Sequence, residues 1–171
     1  MNTGGRSVEQ LVIRPAEEKD CGVILQFIKM LASYEKMEDQ VVAIEALLKE
    51  WIFEKKKAEV ILACVNGTEI GFALFFHNFS TFLGRAGIYL EDLFVLPEHR
   101  GKGYGKAILR KLAQITVERG CGRFEWACLD WNRPSIDFYR SLGAAPMDEW
   151  TTYRLTGNTL SEFAAGQEKT G

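Results

Sequence analysis

The sequence predicts an α/β fold in which a mixed β-sheet carries helices on its faces. The first observation is the order of the predicted elements, β-α-α-β-β-β-α-β-α-β, which is neither a strict βαβ repeat nor an all-antiparallel pattern. The second is a length of 171 residues with 47% hydrophobic residues, which suits one hydrophobic core. We therefore expect a flexible leader at 1–10, a single domain at 11–160 and a polar tail at 161–171.

The first part of the chain predicts one strand and two helices. Residues 11–14 form an apolar strand, and after Pro15 the residue Asp20 caps a helix or lies in its first turn. The apolar residues of this helix recur at helical spacing: Val23, Ile24, Phe27, Ile28 and Leu31. A second helix is expected at about 43–54, with a run of lysines at its carboxyl end.

The clearest local prediction is a β-hairpin in the middle of the chain. Apolar strands at 59–65 and 69–76 are joined by Asn66 and Gly67. Both residue types tolerate positive φ, which the two-residue turn of a hairpin requires.

The remaining elements place a strand directly before a glycine-rich loop and a helix. A strand at 87–96 ends at Pro97, and a helix runs from Gly103 or Tyr104 to about Arg119. Three further elements and a partly disordered tail are expected: a strand at 124–129, a helix at 134–142, a last strand at 151–155 and the tail beyond Leu160.

Composition and charge exclude several classes of protein. The net charge is -2 and the charges are intermixed, so no large basic face is available to bind nucleic acid. No apolar stretch approaches the roughly 20 residues of a membrane span, and 1–10 lacks the apolar centre of a signal peptide. We expect a cytoplasmic protein that binds neither nucleic acid nor membrane.

The cysteines and histidines form no metal or disulfide pattern. The cysteines are scattered without a C-x-x-C pair and are expected to be reduced thiols, mostly buried: Cys21, Cys64, Cys121 and Cys128. His77 and His99 are isolated, so no metal site is predicted. Cys128 as a nucleophile is an alternative chemistry, but it requires a base, and no Cys-His motif accompanies it.

The glycine-rich loop is the candidate phosphate-binding site. Residues 100–106 read Arg-Gly-Lys-Gly-Tyr-Gly-Lys, and backbone N–H groups with the dipole of the following helix attract an anion there. A Walker loop is disfavoured because it needs four residues between its glycines, and only three separate Gly101 from Gly105. The dinucleotide-binding fingerprint G-x-G-x-x-G is disfavoured because Lys106 stands at the position of its third glycine. A tight turn without a ligand is the alternative.

Glu91 and Asp92 are adjacent carboxylates in an otherwise apolar strand. Because side chains alternate faces along a strand, both reach one side only if a β-bulge intervenes. At least one is expected to face a cleft, since an unpartnered buried carboxylate is costly. A structural ion pair is the alternative.

The loop and the strand before it resemble the GNAT superfamily of N-acetyltransferases, whose pyrophosphate loop reads R-x-x-G-x-G. The resemblance implies the GNAT fold, with a mixed, mostly antiparallel sheet and splayed strands, and acetyl-coenzyme A as the cosubstrate. It implies cofactor contacts by the strand end and the loop: Leu93, Phe94, Val95, Arg100, Gly101, Lys102, Gly103, Tyr104, Gly105 and Lys106.

The segment 131–139 is similar to the N-x-x-[SA]-x-x-[FL]-Y segment of the same superfamily. Asn132, Ser135 and Tyr139 occupy the matching positions, which implies that they face the cofactor. Asn132 and Tyr139 are two helical turns apart and share one helix face. Helix capping by Asn132 and core packing by Tyr139 are the alternatives.

Acetyl transfer to an amine requires two proton transfers. The ammonium loses a proton before it attacks the thioester, so Glu91, directly or through a water, is the candidate general base. Asp92 would attract the cationic substrate. The departing thiolate needs a proton, and the Tyr139 hydroxyl is the candidate acid.

Over nearly its whole length the chain resembles the diamine (spermidine/spermine) acetyltransferases and their thialysine-acetylating relatives. The segments that carry this resemblance are 12–16, 34–41, 89–95 with 100–101, and 131–139. It implies a homodimer and an amine pocket of acidic and aromatic residues: Tyr34, Glu35, Glu91, Asp92, Glu125, Trp126 and Glu149.

The sequence therefore predicts an enzyme that transfers acetyl from acetyl-coenzyme A to a primary amine of a polyamine or a thialysine-like or lysine-like cation, by direct attack in a ternary complex. One alternative is a noncatalytic acetyl-coenzyme A-binding regulator. Another is a GNAT enzyme for a different amine: an amino acid, an aminoglycoside or a protein N-terminus.

Overall fold

The computed structural model describes residues 10–167 of the chain. They form two compact units, one ending at Ala127 and the other beginning at Cys128. The elements of the first unit are β1 (Leu11–Pro15), α1 (Cys21–Tyr34), α2 (Glu45–Leu48), β2 (Glu59–Val65), β3 (Thr68–Ser80), β4 (Arg85–Val95), α3 (Tyr104–Glu118) and β5 (Phe124–Trp126). Those of the second unit are α4 (Arg133–Ser141) and α5 (Gly157–Ala164).

The first unit is built on a sheet of five strands arranged in chain order. Neighbours from β1 to β4 are antiparallel, and β5 joins β4 in parallel, which confirms the predicted mixed sheet. Asn66 (φ 52°) and Gly67 (φ 82°) form the turn between β2 and β3. The hairpin is therefore confirmed, and β3 extends four residues beyond its predicted end at Phe76.

The strands β4 and β5 part in the middle of the sheet. They pair only through Ile88 with Phe124, Tyr89 with Glu125 and Leu90 with Trp126, where β5 ends. β4 continues to Val95, and of the described strands only β3 pairs with this continuation. One edge of residues 91–95 consequently keeps backbone groups without a partner strand. These are the splayed strands that the sequence predicts.

A β-bulge lies at Glu91, where the strands part. Leu90 pairs with Phe75 and Asp92 pairs with Leu74, so Glu91 is the extra residue of β4. The extra residue shifts the alternation of side chains, and Tyr89 before the bulge and Asp92 after it face the same side of the sheet. The bulge that would group the carboxylates is thus present.

Helices cover both faces of this sheet. Phe27 of α1 packs with Phe72 and Phe94, and the rings of Phe27 and Phe72 stack at 5.7 Å between centroids. On the opposite face, Leu93 lies beneath Gly105 of α3. The buried side chains of α1 and α3 that anchor them are Ile24, Phe27, Ile108, Leu109 and Leu112. This packing fixes β4 between the two helices.

Arg14 of β1 holds the start of α1 through charge. Its guanidinium donates to both carboxylate oxygens of Asp20, at 2.7 and 3.0 Å, and to Glu69 at 2.9 Å. Asp20 precedes α1 as predicted, but its side chain does not cap that helix. It instead accepts the backbone N–H of Glu17 at 2.7 Å, so it closes the turn before α1.

The predicted second helix has an irregular form. α2 is four residues long and runs into a turn of π-helix at Lys49–Glu54, in which the N–H of Lys55 donates to Glu50 O at 2.8 Å. The wider turn buries Ile52 against the α1 side of the sheet.

The strand predicted at 124–129 ends at Trp126, and the second unit differs from the prediction at two further places. Residues 151–155 are exposed and form no strand, because alternating side chains do not make a strand without a pairing partner. Where a disordered tail is predicted beyond Leu160, the structure has the end of α5, with Leu160 and Phe163 one helical turn apart. Of the predicted leader and tail, residues 1–9 and 168–171 lie outside the described residues.

The structure joins none of the four cysteines, which all lie among the described residues, in a disulfide, and Cys121 and Cys128 are only partly buried, so the expected burial holds for two of the four. Cys21 and Cys64 are buried, and burial raises the pKa of both thiols. Within residues 10–167, no helix has the length and apolar character needed to cross a membrane.

Candidate active site

The loop between β4 and α3 has the backbone geometry of an anion site. Gly101 (φ 76°) and Gly103 (φ 84°) adopt left-handed conformations, and Gly103 is the residue before the first turn of α3. The added Cβ of an alanine at Gly105 would meet nothing closer than Leu93 Cδ2 at 3.9 Å. The loop therefore presents bare backbone ahead of a fifteen-residue helix, where N–H groups and the helix dipole favour phosphate.

Arg100 connects this loop to α1 and β4. Its Nε donates to Val95 O at 2.9 Å, and its guanidinium carbon lies 4.9 Å from the ring centroid of Tyr34 and 5.2 Å from that of Phe94. These contacts hold the start of the loop against the end of α1. A cavity of about 330 Å³ adjoins them and is lined by Met30, Ser33, Tyr34, Phe94, Pro97 and Arg100.

The end of β4 is suited to contacts through its backbone. The side chains of Phe94 and Val95 are buried, at 4% and 7% exposure, so they are directed into the core. Leu93 packs under α3. Backbone groups alternate between the two edges of a strand, and those that β4 offers at the unpaired edge are the N–H and C=O of Leu93 and the N–H of Val95, since Val95 O already accepts from Arg100. Such groups suit an amide-containing arm.

Asp92 is the half-buried member of the carboxylate pair. Burial, followed by the charges of Glu91 and Glu35, raises the pKa of Asp92 from 3.8 to about 6. Glu35, immediately after α1, also has a raised pKa because of burial. Glu91, the bulged residue, is exposed. Three carboxylates thus converge beside the point where β4 and β5 part.

Tyr89 links this group to Glu125 on β5. Burial raises the pKa of the Tyr89 hydroxyl, and the charges of Glu91 and Glu125 raise it further. Glu125 accepts a hydrogen bond from Asn78 Nδ2 at 2.8 Å, and its Oε2 lies 2.6 Å from Nε of Arg123. The predicted pocket residue Glu125 is therefore on the same sheet face as the carboxylates.

The structure does not group Trp126 with these residues. Because side chains alternate along β5, Trp126 projects from the face opposite to Glu125. Its ring packs against Phe124, with 4.9 Å between centroids. Trp126 therefore belongs with the apolar residues on the α3 side of the sheet.

The second unit carries the other predicted site residues. Asn132 precedes α4, and its Oδ1 accepts the backbone N–H of Ser135 at 3.4 Å, so the capping role is confirmed. Tyr139 lies in α4, with its ring 5.5 Å from that of Phe138 between centroids. Glu149 is exposed in the segment that follows α4.

Asn78 and Arg123 are site residues that the sequence did not predict. Asn78 lies beyond the predicted end of β3, so it was not expected on a strand facing the site. Arg123 precedes β5 and carried no motif. No motif in the sequence marks them; in the structure Gly87 leaves room for both, since a Cβ there would lie within 2.4 Å of Asn78 Oδ1 and 2.9 Å of Arg123 Cγ.

Comparison with known proteins agrees with this geometry. The model of the acetyltransferase (GNAT) family matches residues 24–144. The thialysine N-epsilon-acetyltransferase of Sus scrofa is 38% identical over 166 residues, which cover 90% of this chain and 97% of that protein. The spermidine/spermine N(1)-acetyltransferase-like protein 1 of Homo sapiens is 30% identical over 169 residues, which cover 92% of this chain and 24% of that protein.

A solved structure shows the same fold. An integron cassette protein from the mobile metagenome of V. cholerae superimposes with a TM-score of 0.75 at 29% identity, covering 90% of this chain and 97% of that one. The predicted resemblance and the predicted fold are both confirmed. By its sequence, its splayed mixed sheet and its glycine loop, this chain belongs to the acetyltransferase (GNAT) family.

Proposed function

We propose that this chain transfers the acetyl group of acetyl-coenzyme A to a primary amine of a small cation. The observation that carries the proposal is the end of β4. There, an unpaired backbone edge leads from the carboxylates at Glu91 and Asp92 to the glycine loop before α3. A thioester cosubstrate and a cationic amine would meet at the bulge.

The first unit has the groups to hold acetyl-coenzyme A. The N–H groups of 101–106 and the start of α3 suit the pyrophosphate, and the backbone of 93–95 suits the pantetheine amides. Acetyl-coenzyme A, when bound, supplies an activated acetyl thioester. Arg100 orders the loop through Val95 and Tyr34, which supports its predicted role in cofactor binding.

Glu91 and Asp92 would remove the proton that keeps the amine from attacking. A base is most effective when its pKa approaches the working pH, and that of Asp92 is raised to about 6 by burial and neighbouring charge. Asp92 stays ionised at neutral pH and accepts a proton more readily than an ordinary carboxylate. Glu91, exposed at the bulge, remains our candidate general base, acting directly or through a water.

Tyr139 would donate the proton that the leaving sulfur requires. Tyr139 lies in α4, two helical turns after Asn132 and on the same side of the helix. This position matches the N-x-x-[SA]-x-x-[FL]-Y segment of the family, on which its proposed role as proton donor rests. Asn132 and Ser135 are proposed to face the cofactor beside it. The side chain of Asn132 is already fixed by its bond to Ser135 N–H.

The substrate would be a polyamine or a thialysine-like or lysine-like amine. The carboxylates of Glu35, Glu91 and Asp92 attract an ammonium group. The ring of Tyr34, which carries the guanidinium of Arg100, lies beside Glu35 in the chain. Roles for Glu125, Trp126 and Glu149 in the amine pocket, assembly as a homodimer and a cytoplasmic location remain predictions from the sequence. So does the expectation that nucleic acid is not a partner.

The test is release of free thiol from acetyl-coenzyme A by the purified full chain. Spermidine, spermine, putrescine, thialysine and lysine are offered in parallel, with a control that contains no amine. Release above this control with one or more amines supports the proposal and ranks the substrates. Cofactor binding without release for any amine, including amino acids and an aminoglycoside, would instead identify a noncatalytic acetyl-coenzyme A-binding protein.

A matched pair of variants connects the activity to the carboxylates. Asp92→Asn should lower kcat/KM for the best amine, because it removes both a charge and a proton acceptor. Glu54→Gln, at an exposed carboxylate on the π-turn, should leave it unchanged. Equal rates for both variants and the parent chain would remove Asp92 from the site.

A further inference from the structure

A polar cluster of Asn78, Arg123 and Glu125 lies beside the carboxylates. Asn78 Nδ2 donates to Glu125 Oε2 at 2.8 Å, and Arg123 Nε lies 2.6 Å from the same oxygen. Both neighbours engage Oε2, so Oε1 of Glu125 keeps its capacity to accept hydrogen bonds. The acid-base chemistry of acetyl transfer uses none of these three side chains.

Arg123 in this cluster has donors to spare. A guanidinium carries five N–H donors, and within residues 10–167 the hydrogen bond made by this one is from Nη2 to Phe79 O at a long 3.3 Å. Its Nε is buried and close to Glu125, but its N–H is not aligned for a hydrogen bond. The side chain is 37% exposed, so part of it is open to solvent.

The two ends of this sheet face differ in charge. Around Asp92 the described neighbours that perturb it are the carboxylates Glu91 and Glu35, and none of the three is in an ion pair among residues 10–167. At the other end, the charge of Glu125 is offset by Arg123. The charges that perturb Asp92 are therefore both negative, whereas the other end presents a positive group beside a negative one.

These ends lie within the length of a small molecule. Glu125 is the cross-strand neighbour of Tyr89, and Asp92 follows Tyr89 by three residues on the same face. At about 3.3 Å per residue this is at most about 10 Å of strand. An extended diamino acid bridges such a distance.

We propose that the Arg123–Glu125 pair is a specificity subsite for the zwitterionic head group of a basic amino acid. The α-carboxylate binds the guanidinium of Arg123, and the α-ammonium binds Oε1 of Glu125. The side-chain amine then extends to Glu91 and Asp92, where it is acetylated. This inference rests on the proposed function and narrows its substrate class.

The same pair disfavours a simple diamine. A diamine places a second ammonium near Arg123 and has no carboxylate to pair with the guanidinium. Its kcat/KM should therefore be lower than that of the amino acid with the same carbon chain. Gly87 preserves the subsite, because a Cβ there would collide with Asn78 and Arg123.

Two pairs of substrates isolate the contribution of the carboxylate. Lysine is compared with cadaverine and ornithine with putrescine, since the members of each pair differ by one α-carboxylate. For the full chain we expect kcat/KM for the amino acid to be higher by roughly 10- to 100-fold, as for a charge-assisted hydrogen-bonded pair. Binding of the same four compounds is measured by calorimetry, so that the preference is also recorded without turnover.

Variants of arginine then assign the preference to Arg123. Arg123→Met should abolish the difference within each pair by lowering the kcat/KM of the amino acid and raising that of the diamine, because the guanidinium that repels the second ammonium is gone. Arg123→Lys should restore part of it. Arg110→Met, which removes an exposed arginine of α3, is the matched control and should change neither.

The outcomes separate this inference from the function on which it rests. A parallel loss for all four amines in Arg123→Met, or a preference of the parent chain for the diamines in rate or binding, would overturn the subsite while leaving acetyl transfer intact. Absence of thiol release with every amine would overturn the proposed function. In that case calorimetry still tests the subsite. Tighter binding of the amino acid than of the diamine in each pair supports it, and equal binding or a preference for the diamine overturns it.

Discussion

The carboxyl group of Asp92 on β4 lies within electrostatic range of Glu35, the residue that follows α1. Burial is the main cause that raises the pKa of Asp92 to about 6, and the charges of Glu91 and Glu35 add to it. The site thus maintains a carboxylate in a position that opposes its own ionisation. Functional sites commonly show such a perturbed group, because the local cost is balanced by packing elsewhere.

The position of Asp92 should destabilise the fold at neutral pH. A carboxyl whose pKa is higher in the folded than in the unfolded chain stabilises the folded state at pH values below 3.8, its pKa in the unfolded chain. This contribution is lost as the pH rises through about 6, its pKa in the folded state. The full difference corresponds to about 3 kcal/mol. Asp92→Asn should therefore increase the free energy of unfolding at pH 8 by up to about 3 kcal/mol, with a smaller gain at pH 5, in urea titrations.

Glu91→Gln is the control for this stability effect. Glu91 is exposed and acts on Asp92 only through its charge, so its replacement should give a gain at pH 8 that is a small part of that of Asp92→Asn, and less than about 0.5 kcal/mol at pH 5. A gain for Asp92→Asn that does not depend on pH would show that its carboxyl titrates normally.

The Arg14–Asp20 pair should contribute strongly to the stability of the first unit. Asp20 is 5% exposed and receives two guanidinium bonds and one backbone bond. Asp20→Ala removes the main partner of Arg14, which is 29% exposed and keeps Glu69, so unfolding should become easier by about 1.5–3 kcal/mol. Arg14 lowers the pKa of Asp20, and this stabilisation should fall as the pH drops through that lowered value.

An exposed ion pair in the same turn provides the comparison. Lys19 and Glu17 lie 2.7 Å apart with side chains 72% and 64% exposed. Lys19→Ala should cost less than about 1 kcal/mol in the same urea titration. Similar losses for both variants would mean that burial does not strengthen the Arg14 pair.

Local sequence signals predicted most of the first unit. Asn66 and Gly67 specify a turn by their own φ preferences, and the apolar spacing of α3 needs no distant partner to be recognised. The glycine loop was identified for the same reason. Residues 151–155 were predicted as a strand but do not form one. A strand needs a neighbouring strand to pair with, and the alternation of side chains along one segment carries no information about such a neighbour.

The carboxylates show a similar limit for the site. The sequence placed Glu91 and Asp92 on one strand, and it could state only that a bulge was required to group them. The bulge depends on the register of β4 against Leu74 and Phe75, a relation between strands. Which carboxylate is half-buried, and the presence of Asn78 beside Glu125, followed only from that register.

Gly105 should separate stability from cofactor binding. Gly22 and Gly105 are the second residues of α1 and α3, and at each a Cβ would meet nothing closer than 3.6 and 3.9 Å. Alanine should therefore stabilise either helix by about 0.5–1 kcal/mol. Gly105→Ala should also weaken acetyl-coenzyme A binding in calorimetry, because its methyl group occupies space that the phosphates approach.

Gly22→Ala is the matched control for that experiment. It should raise the melting temperature like Gly105→Ala and leave cofactor affinity unchanged. Unchanged affinity in both variants would place the pyrophosphate away from the first turn of α3.

Tyr139 should act in turnover and contribute little to cofactor binding. Tyr139→Phe keeps the ring that packs on Phe138 and removes the hydroxyl proposed to protonate the leaving sulfur. We expect kcat to fall roughly 100-fold, within the range for loss of a general acid, with the Kd for acetyl-coenzyme A nearly unchanged. Tyr153→Phe, at a tyrosine 91% exposed, removes a hydroxyl without this role and should leave kcat intact. A normal kcat for Tyr139→Phe would assign the proton to another donor, and a weakened Kd with normal kcat would make Tyr139 a cofactor-binding residue.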